Sequence, residues 1–155
     1  MLTLKIKYQS VINDLNNQTF GNWIDLRAAE DVTFSKAHEE AKISLGLTLQ
    51  LPKGYEAHIL PRSSTPSKFG LTLSHSQGII DTEYCGPEDD WKFSARSTRK
   101  TSIVKGDRIC QFRIMLSQQA TPWQKFKWLL TSKIKFVSAE NNNKNRGGFG
   151  STGKK

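Results

Sequence analysis

Apolar and polar residues alternate in short runs along most of the chain. LTLKIKY (2–8), ISLGLTLQL (43–51), YEAHIL (55–60), RICQFRIM (108–115) and SKIKFV (132–137) repeat apolar or β-branched side chains at every second position, which places them on one face of a strand. Gly, Pro, Asn and Asp separate the runs, most sharply at PKG (52–54), CGPEDD (85–90) and KGD (105–107), where turns are expected. The pattern predicts an all-β fold. Two stretches have a helical option. In STPSKFG (64–70), Ser64 or Thr65 can cap a short helix; PWQKFKWLL (122–130) has Pro122 near its start, but the strand rhythm of SKIKFV behind it favours an edge strand. NNNKN (141–145) is a polar linker. It divides an all-β body, residues 1–140, from a flexible glycine-rich tail, residues 141–155.

At 155 residues the chain is long enough for one domain with a substantial core. Cys85 and Cys110 are too few for a disulfide framework and lack metal spacing, which points to a reduced, cytoplasmic protein. No apolar run reaches membrane length, and MLTLKIKYQS lacks the apolar core of a signal peptide. The net charge of +9 is uneven: from Thr121 onward basic residues outnumber the single acid Glu140 eight to one. A solvated basic edge accounts for this better than a nucleic-acid surface, and a phosphorylated ligand is a third use for the cations.

The tail GGFGSTGKK (147–155) matches G-x-G-x-x-G and most of a P-loop, yet only Lys154 and Lys155 follow Gly153, so no helix can start where phosphate would sit. Its glycine N–H groups, Ser151, Thr152 and Phe149 nevertheless suit closure over an anion and a base. Four further stretches carry chemistry. PRSS (61–64) ends a strand with a guanidinium beside two hydroxyls, suited to phosphate oxygens. GIIDTEYCG (78–86) buries an Ile pair next to Asp81, which is either a turn cap or a positioned base. GDRICQ (106–111) sets Gln111 on the face opposite Cys110, and WIDLRAAED (23–31) contributes Asp25.

Taken in order, IDLRAAED, PRSSTPSKFG, GIIDTEYCG, KGDRICQ and RGGFGSTG resemble the five motifs of the trimeric dUTP pyrophosphatases, or dUTPases, over nearly the whole chain. The wording of GNWIDLRAAEDVT is similar to the branch found in Gram-positive bacteria and their phages. The resemblance implies a homotrimer of distorted jelly-roll, β-clip-like subunits with active sites at subunit interfaces, the tail serving as a lid donated by a neighbouring chain. It implies hydrolysis of dUTP to dUMP and pyrophosphate with Mg²⁺, limiting uracil in DNA and supplying dUMP for thymidylate synthesis. Asp81 matches the catalytic base, and Asp25 a carboxylate that reaches the metal through water. Arg62, Ser63, Ser64 and Gln111 match phosphate contacts. A uracil-reading β-hairpin corresponds to residues 71–81, with Gly78 and Ile80 on its second arm, and Tyr84 matches the residue that packs on deoxyribose. Phe149 matches the lid aromatic, followed by Gly150, Ser151 and Thr152; Lys144 and Arg146 are both candidates for the γ-phosphate.

The chain departs from the family in three places: His75 stands where many members have Asn, Trp23 replaces a usual glycine, and Arg146 lies only three residues before Phe149 where most members place the lid arginine farther ahead. Trp91 or Phe93 either shares the base-covering role or packs the core. The alternatives are a dCTP deaminase-like enzyme and a regulatory or nucleic-acid-binding β protein of phage type, with a protein partner the sequence does not identify.

Overall fold

The computed structural model describes residues 1–17 and 22–149. Among them the chain runs β1 (Leu2–Ser10), β2 (Ile24–Arg27), β3 (Val32–Phe34), β4 (Glu40–Ser44), β5 (Leu47–Gln50), β6 (Tyr55–Pro61), α1 (Thr65–Phe69), β7 (Leu71–Leu73), β8 (Gly78–Ile80), β9 (Lys92–Ser97), β10 (Thr101–Ile103), β11 (Arg108–Leu116), α2 (Pro122–Leu130) and β12 (Thr131–Ser138). The strands form four small sheets, ordered β12-β1-β5, β10-β3, β2-β11-β6-β8 and β4-β9-β7. The all-β expectation therefore holds. Alternating positions deliver Ile6, Ile59, Phe93, Phe112 and Ile114 to one core, where Trp91 meets Phe112 edge-on with ring centroids 5.2 Å apart. No described helix is long and apolar enough to cross a membrane.

The run at 43–51 forms two strands instead of one. Gly46 breaks it at φ +56°, where a Cβ would lie 2.5 Å from Val11 and 2.8 Å from Ala29, and the Gly46 carbonyl accepts the Val11 N–H and the Ser10 hydroxyl. Residues 122–130 form a helix, contrary to the expected edge strand. Thr121 and Gln124 build a capping box: Thr121 Oγ1 accepts the Gln124 N–H at 3.2 Å and Gln124 Oε1 accepts the Thr121 N–H at 2.7 Å, with Pro122 in the first turn. Trp128 packs on Tyr55, and Trp123, Phe126, Leu129 and Leu130 remain exposed. At α1 the Ser64 side chain makes no capping bond; Thr65 instead accepts the Arg62 N–H and donates to the Ile109 carbonyl, tying the PRSS turn to β11.

The arms of the expected uracil hairpin join different sheets. β7 pairs with β9 and β8 with β6, so residues 74–77 bridge two sheets. Of the Ile pair, only Ile80 is buried; Ile79, on the other face of the same strand, is half-exposed. Nor do residues 141–149 trail away as a bare linker. Asn141 is buried and donates to the Cys85 carbonyl, because loop 85–90 offers this segment both acceptors and donors.

Candidate active site

The motif residues gather in two places, and β6 measures the distance between them. At its C-terminal end, β2, β6 and β11 lie side by side, with Gln111 opposite both Asp25 and Leu60. Asp25 is almost completely buried, and each of its oxygens faces a guanidinium: Arg62 Nε at 3.0 Å and Arg108 Nη1 at 3.4 Å. A buried carboxylate demands such pairing, and here the pairing also aims two arginines. Arg62 Nη1 further donates to the Arg108 carbonyl, and Gln111 Nε2 to the Pro61 carbonyl. Ser63 is exposed and Ser64 half-buried beside them. Two fixed guanidinium groups with adjacent hydroxyls make a receptor for phosphate oxygens. Cys110, fully buried behind them, keeps its proton: burial, reinforced by the Asp25 charge, pushes its thiol far up. It is no nucleophile.

The second group lies where β8 ends. Asp81 Oδ1 accepts the Glu83 N–H at 3.0 Å and the Tyr84 N–H at 3.3 Å, so this oxygen caps the turn. Oδ2 points outward to Arg146 Nη1 at 2.6 Å, and the side chain is half-exposed. One carboxylate thus caps the turn with one oxygen and turns the other, half-exposed, to the Arg146 guanidinium. Tyr84 is buried and donates to the Asp90 carbonyl at 2.7 Å; burial, with the Asp89 and Asp90 charges, lifts its hydroxyl to about 12. Its ring meets Phe149 edge-on at 6.2 Å. Lys42 and Lys92 lie over the Phe149 ring at 5.3 and 5.4 Å, and Lys42 also donates to the Phe149 carbonyl. A cavity of about 280 Å³ results, lined by Ile80, Asp81, Tyr84, Arg146, Gly148 and Phe149 among others. Gly78 sits behind it, where a Cβ would press Ile59 at 3.2 Å.

Ile80 pairs with Ala57, so Asp81 stands beside Glu56, six residues from Arg62 along β6. At 3.2–3.4 Å per residue, about 20 Å of strand lies between the level of Asp81 and Arg62.

Of the two tail cations, only Arg146 lines this cavity; Lys144 lies on a larger neighbouring groove of about 780 Å³, which Arg146 also lines. Trp91 and Phe93 are both fully buried, so both pack the core and neither covers a base. His75 is exposed at the bridging turn, and the Arg113 guanidinium lies over the Trp23 ring at 5.4 Å. Gly150, Ser151 and Thr152 fall outside the described residues. Sequence reasoning passed over Arg108, Lys42, Lys92 and Asp89. Only Arg108 lies within a motif quoted above; the lysines come from strands whose pairing brings them to Phe149, and Asp89 reads as one more acid in a turn.

The dUTPase family model matches residues 22–153. The SPbeta prophage-derived deoxyuridine 5'-triphosphate nucleotidohydrolase YosS of Bacillus subtilis (strain 168) is 44% identical, covering 99% of this chain and 100% of its own. A deoxyuridine 5'-triphosphate nucleotidohydrolase of Finegoldia magna is 34% identical over 97% and 99% of the two chains. In fold the chain is similar to the crystal structure of a Streptococcus mutans dUTPase, with a TM-score of 0.63, 22% identity, and coverage of 74% of this chain and 98% of that one. A dUTPase from phage phi11 of S. aureus, described as coordinating a structural Mg(II) ion, gives a TM-score of 0.60 at 18% identity over 75% and 93%. Family model, full-length relatives and fold agree with the motifs that the two groups carry, and the chain belongs to the dUTPase family.

Proposed function

We propose that this protein hydrolyses dUTP to dUMP and pyrophosphate, in active sites that two or more copies complete together. The observation that carries the reading is the Asp81–Tyr84–Arg146–Phe149 cavity, with Arg62 of the Asp25–Arg62–Arg108–Gln111 cluster about 20 Å away along β6. A second copy that brings its arginine end against this cavity supplies the phosphate grip that the cavity lacks. A homotrimer, as the resemblance implies, supplies three such junctions.

In each site Asp81 Oδ2 accepts the proton of a water aimed at the α-phosphorus, while Oδ1 keeps the carboxylate oriented through the Glu83 and Tyr84 N–H groups. The water oxygen bonds to the α-phosphorus, the α–β bridge breaks, and pyrophosphate leaves with the bridging oxygen. Arg62 and Arg108, held by Asp25, meet the charge that develops on the departing phosphates, with Ser63, Ser64 and Gln111 as donors. Arg146 has a guanidinium free to turn from Asp81 to the γ-phosphate. Tyr84 packs on deoxyribose, where a 2′-hydroxyl would meet its ring, and the segment 71–81 reads uracil. Phe149, with Gly150, Ser151 and Thr152, forms the lid over the base, which the resemblance implies a neighbouring copy donates.

Among the described residues no three His, Cys, Asp or Glu side chains gather to hold an ion, and both Asp25 oxygens already face cations. Asp25 is the residue that would contact a magnesium ion through water, and so few protein donors would suit an ion held mainly by the substrate's phosphates. When bound, the ion neutralises phosphate charge in the transition state.

Pyrophosphate release should be measured with dUTP, dTTP, dCTP and UTP. Release confined to dUTP is expected, with Asp81→Asn losing about 10²–10⁴-fold in kcat; near-normal turnover by that variant would remove Asp81 from its role. Conversion of dCTP to dUTP or dUMP would support the deaminase reading instead.

A further inference from the structure

Thr65 is completely buried, and no step of the hydrolysis uses it. It opens α1, the short helix that follows the PRSS turn, and its hydroxyl is engaged on both sides. Thr65 Oγ1 accepts the Arg62 N–H at 2.9 Å and donates to the Ile109 carbonyl at 2.8 Å, while the Thr65 N–H donates back to the Arg62 carbonyl at 3.0 Å. The Ile109 partner lies 44 residues along the chain, on β11.

Ile109 holds a special place on that strand. Where β11 pairs with β2, Arg108 faces Arg27 and Cys110 faces Leu26, so two steps on β11 oppose one on β2 and Ile109 is the extra residue of a β-bulge. The extra residue of a bulge is left out of the ladder, and the bend re-aims the side chains beside it. Here the residue beside it is Arg108. One hydroxyl oxygen therefore holds the backbone under both guanidinium groups: Arg62 directly, through its N–H, and Arg108 through the residue that follows it. The tips of the same two side chains converge on Asp25, at 3.0 and 3.4 Å, and Arg62 Nη1 reaches the Arg108 carbonyl at 3.4 Å. Asp25 fixes the tips, and Thr65 fixes the roots. An apolar side chain of the same shape would leave the Arg62 N–H and the Ile109 carbonyl without this partner in the interior.

We infer that Thr65 is a positioning residue for the phosphate grip: its buried hydroxyl ties the turn that carries Arg62 to the bulge beside Arg108 and so sets the spacing of the two guanidinium groups. The inference rests on the dUTP reading for its kinetic consequence. Its consequence for phosphate binding is independent of hydrolysis. Turn and bulge belong to one chain, so the tie is the same whichever copies complete a site. With the hydroxyl gone, turn and bulge shift against each other and the two arginines lose their common aim. The loss then falls on the phosphates and spares the nucleoside, whose residues follow β8.

The test compares Thr65→Val, which keeps the shape and removes the hydroxyl, with Thr65→Ser, which keeps the hydroxyl and removes a methyl. Thr65→Val should lower kcat/KM for dUTP by about tenfold or more, as misplaced charge-assisted contacts predict. Thr65→Ser, with the same donor and acceptor, should stay within about threefold of wild type. Three probes then locate the loss by calorimetric or NMR titration, at a temperature where circular dichroism shows the variant fully folded. In Thr65→Val the unreactive α,β-imido analogue of dUTP and inorganic pyrophosphate should each bind about tenfold more weakly. Deoxyuridine, which carries no phosphate, should change by less than about twofold. Equal weakening of deoxyuridine and the analogue would make Thr65 a support of the whole body and overturn the inference, as would a Thr65→Val enzyme that matches wild type. If Thr65→Val does not fold, Thr65→Ala set against Thr65→Ser makes the same comparison. A wild type that binds pyrophosphate but releases none from dUTP defeats the hydrolysis reading, and the pyrophosphate comparison still judges the grip. A wild type that binds neither pyrophosphate nor the analogue overturns the inference as well.

Discussion

Because about 20 Å of strand lies between Arg62 and the level of Asp81 on one chain, two inactive variants should rescue each other. The pair to combine is Asp81→Asn, which spoils the cavity, and Arg62→Gln, which spoils the phosphate grip while Arg108 continues to face Asp25. Each alone should run about 10²-fold or more below wild type, from loss of a base or of a fixed guanidinium. Now let the two be unfolded together in equal amounts and refolded, so that copies assemble at random. A site works only when its cavity comes from an Arg62→Gln copy and its grip from an Asp81→Asn copy. The chance is one half for each, so about a quarter of the sites recover wild-type chemistry if neighbouring copies share each site. The assay is pyrophosphate release, with mixed oligomers confirmed by native mass spectrometry of differently tagged copies. Recovery to about a quarter of wild-type rate is expected. If mixed oligomers form and the rate stays at the level of the separate variants, the halves do not meet between copies and the composite site is wrong.

Other consequences are quicker to check. Phe149→Ala should raise KM for dUTP by about 5–150-fold, the equivalent of ~1–3 kcal/mol of base stacking, with little change in folding; an unchanged KM would take the ring off the base. Tyr84 makes stability depend on alkaline pH. Its hydroxyl titrates near 10 when unfolded and about 12 when folded, so between those values the folded state holds a proton the unfolded state has lost, and stability falls as pH rises. Two pH units correspond to about 2–3 kcal/mol. Thermal midpoints between pH 9 and 12 should show that slope, and Tyr84→Phe should flatten it. Thr121→Ala breaks the capping box of α2 and should lower stability by about 0.5–2 kcal/mol in denaturant titrations, leaving pyrophosphate release intact.

Period-two patterning located β1, β6, β11 and β12 to within a residue or two at either end, because burial on one face of a strand forces that alternation. It failed where a local device overrode the rhythm. Gly46 splits a run that reads as continuous, since the alternation of apolar residues does not register a single left-handed backbone angle. At α2 the start signal was present in Thr121, Pro122 and Gln124, but the helix buries no residue fully, and without a buried stripe its hydrophobic pattern had little to set against the strand rhythm behind it. Pairing partners were beyond reach altogether. The two arms of residues 71–80 look like a hairpin in sequence, and only the sheets show that β7 belongs with β9 and β8 with β6.

The site was more legible than the sheets in its residue types and less legible in its geometry. Arg62, Asp81, Tyr84 and Phe149 stood out through the order of the five motifs that resemble the dUTPases; singly, an arginine beside serines or an aspartate in a turn is ordinary strand-end chemistry. Motif order along a chain, however, carries no distance. PRSS and GIID are separated by fewer than twenty residues, yet an antiparallel pair sends one to each end of β6. Asp89 shows the complementary limit. An acid in CGPEDD reads as turn chemistry, and it does cap its own turn through the Gly86 N–H; its other two donors arrive from a segment that no local pattern connects to it. The same physical fact underlies both: a carboxylate has more acceptor capacity than a turn consumes. Asp81 uses one oxygen for its turn and has one left for chemistry. Asp89 likewise has capacity left after its turn, and it spends that on the tail, so an acid with a plain local role was in each case the residue with capacity to spare for a distant one.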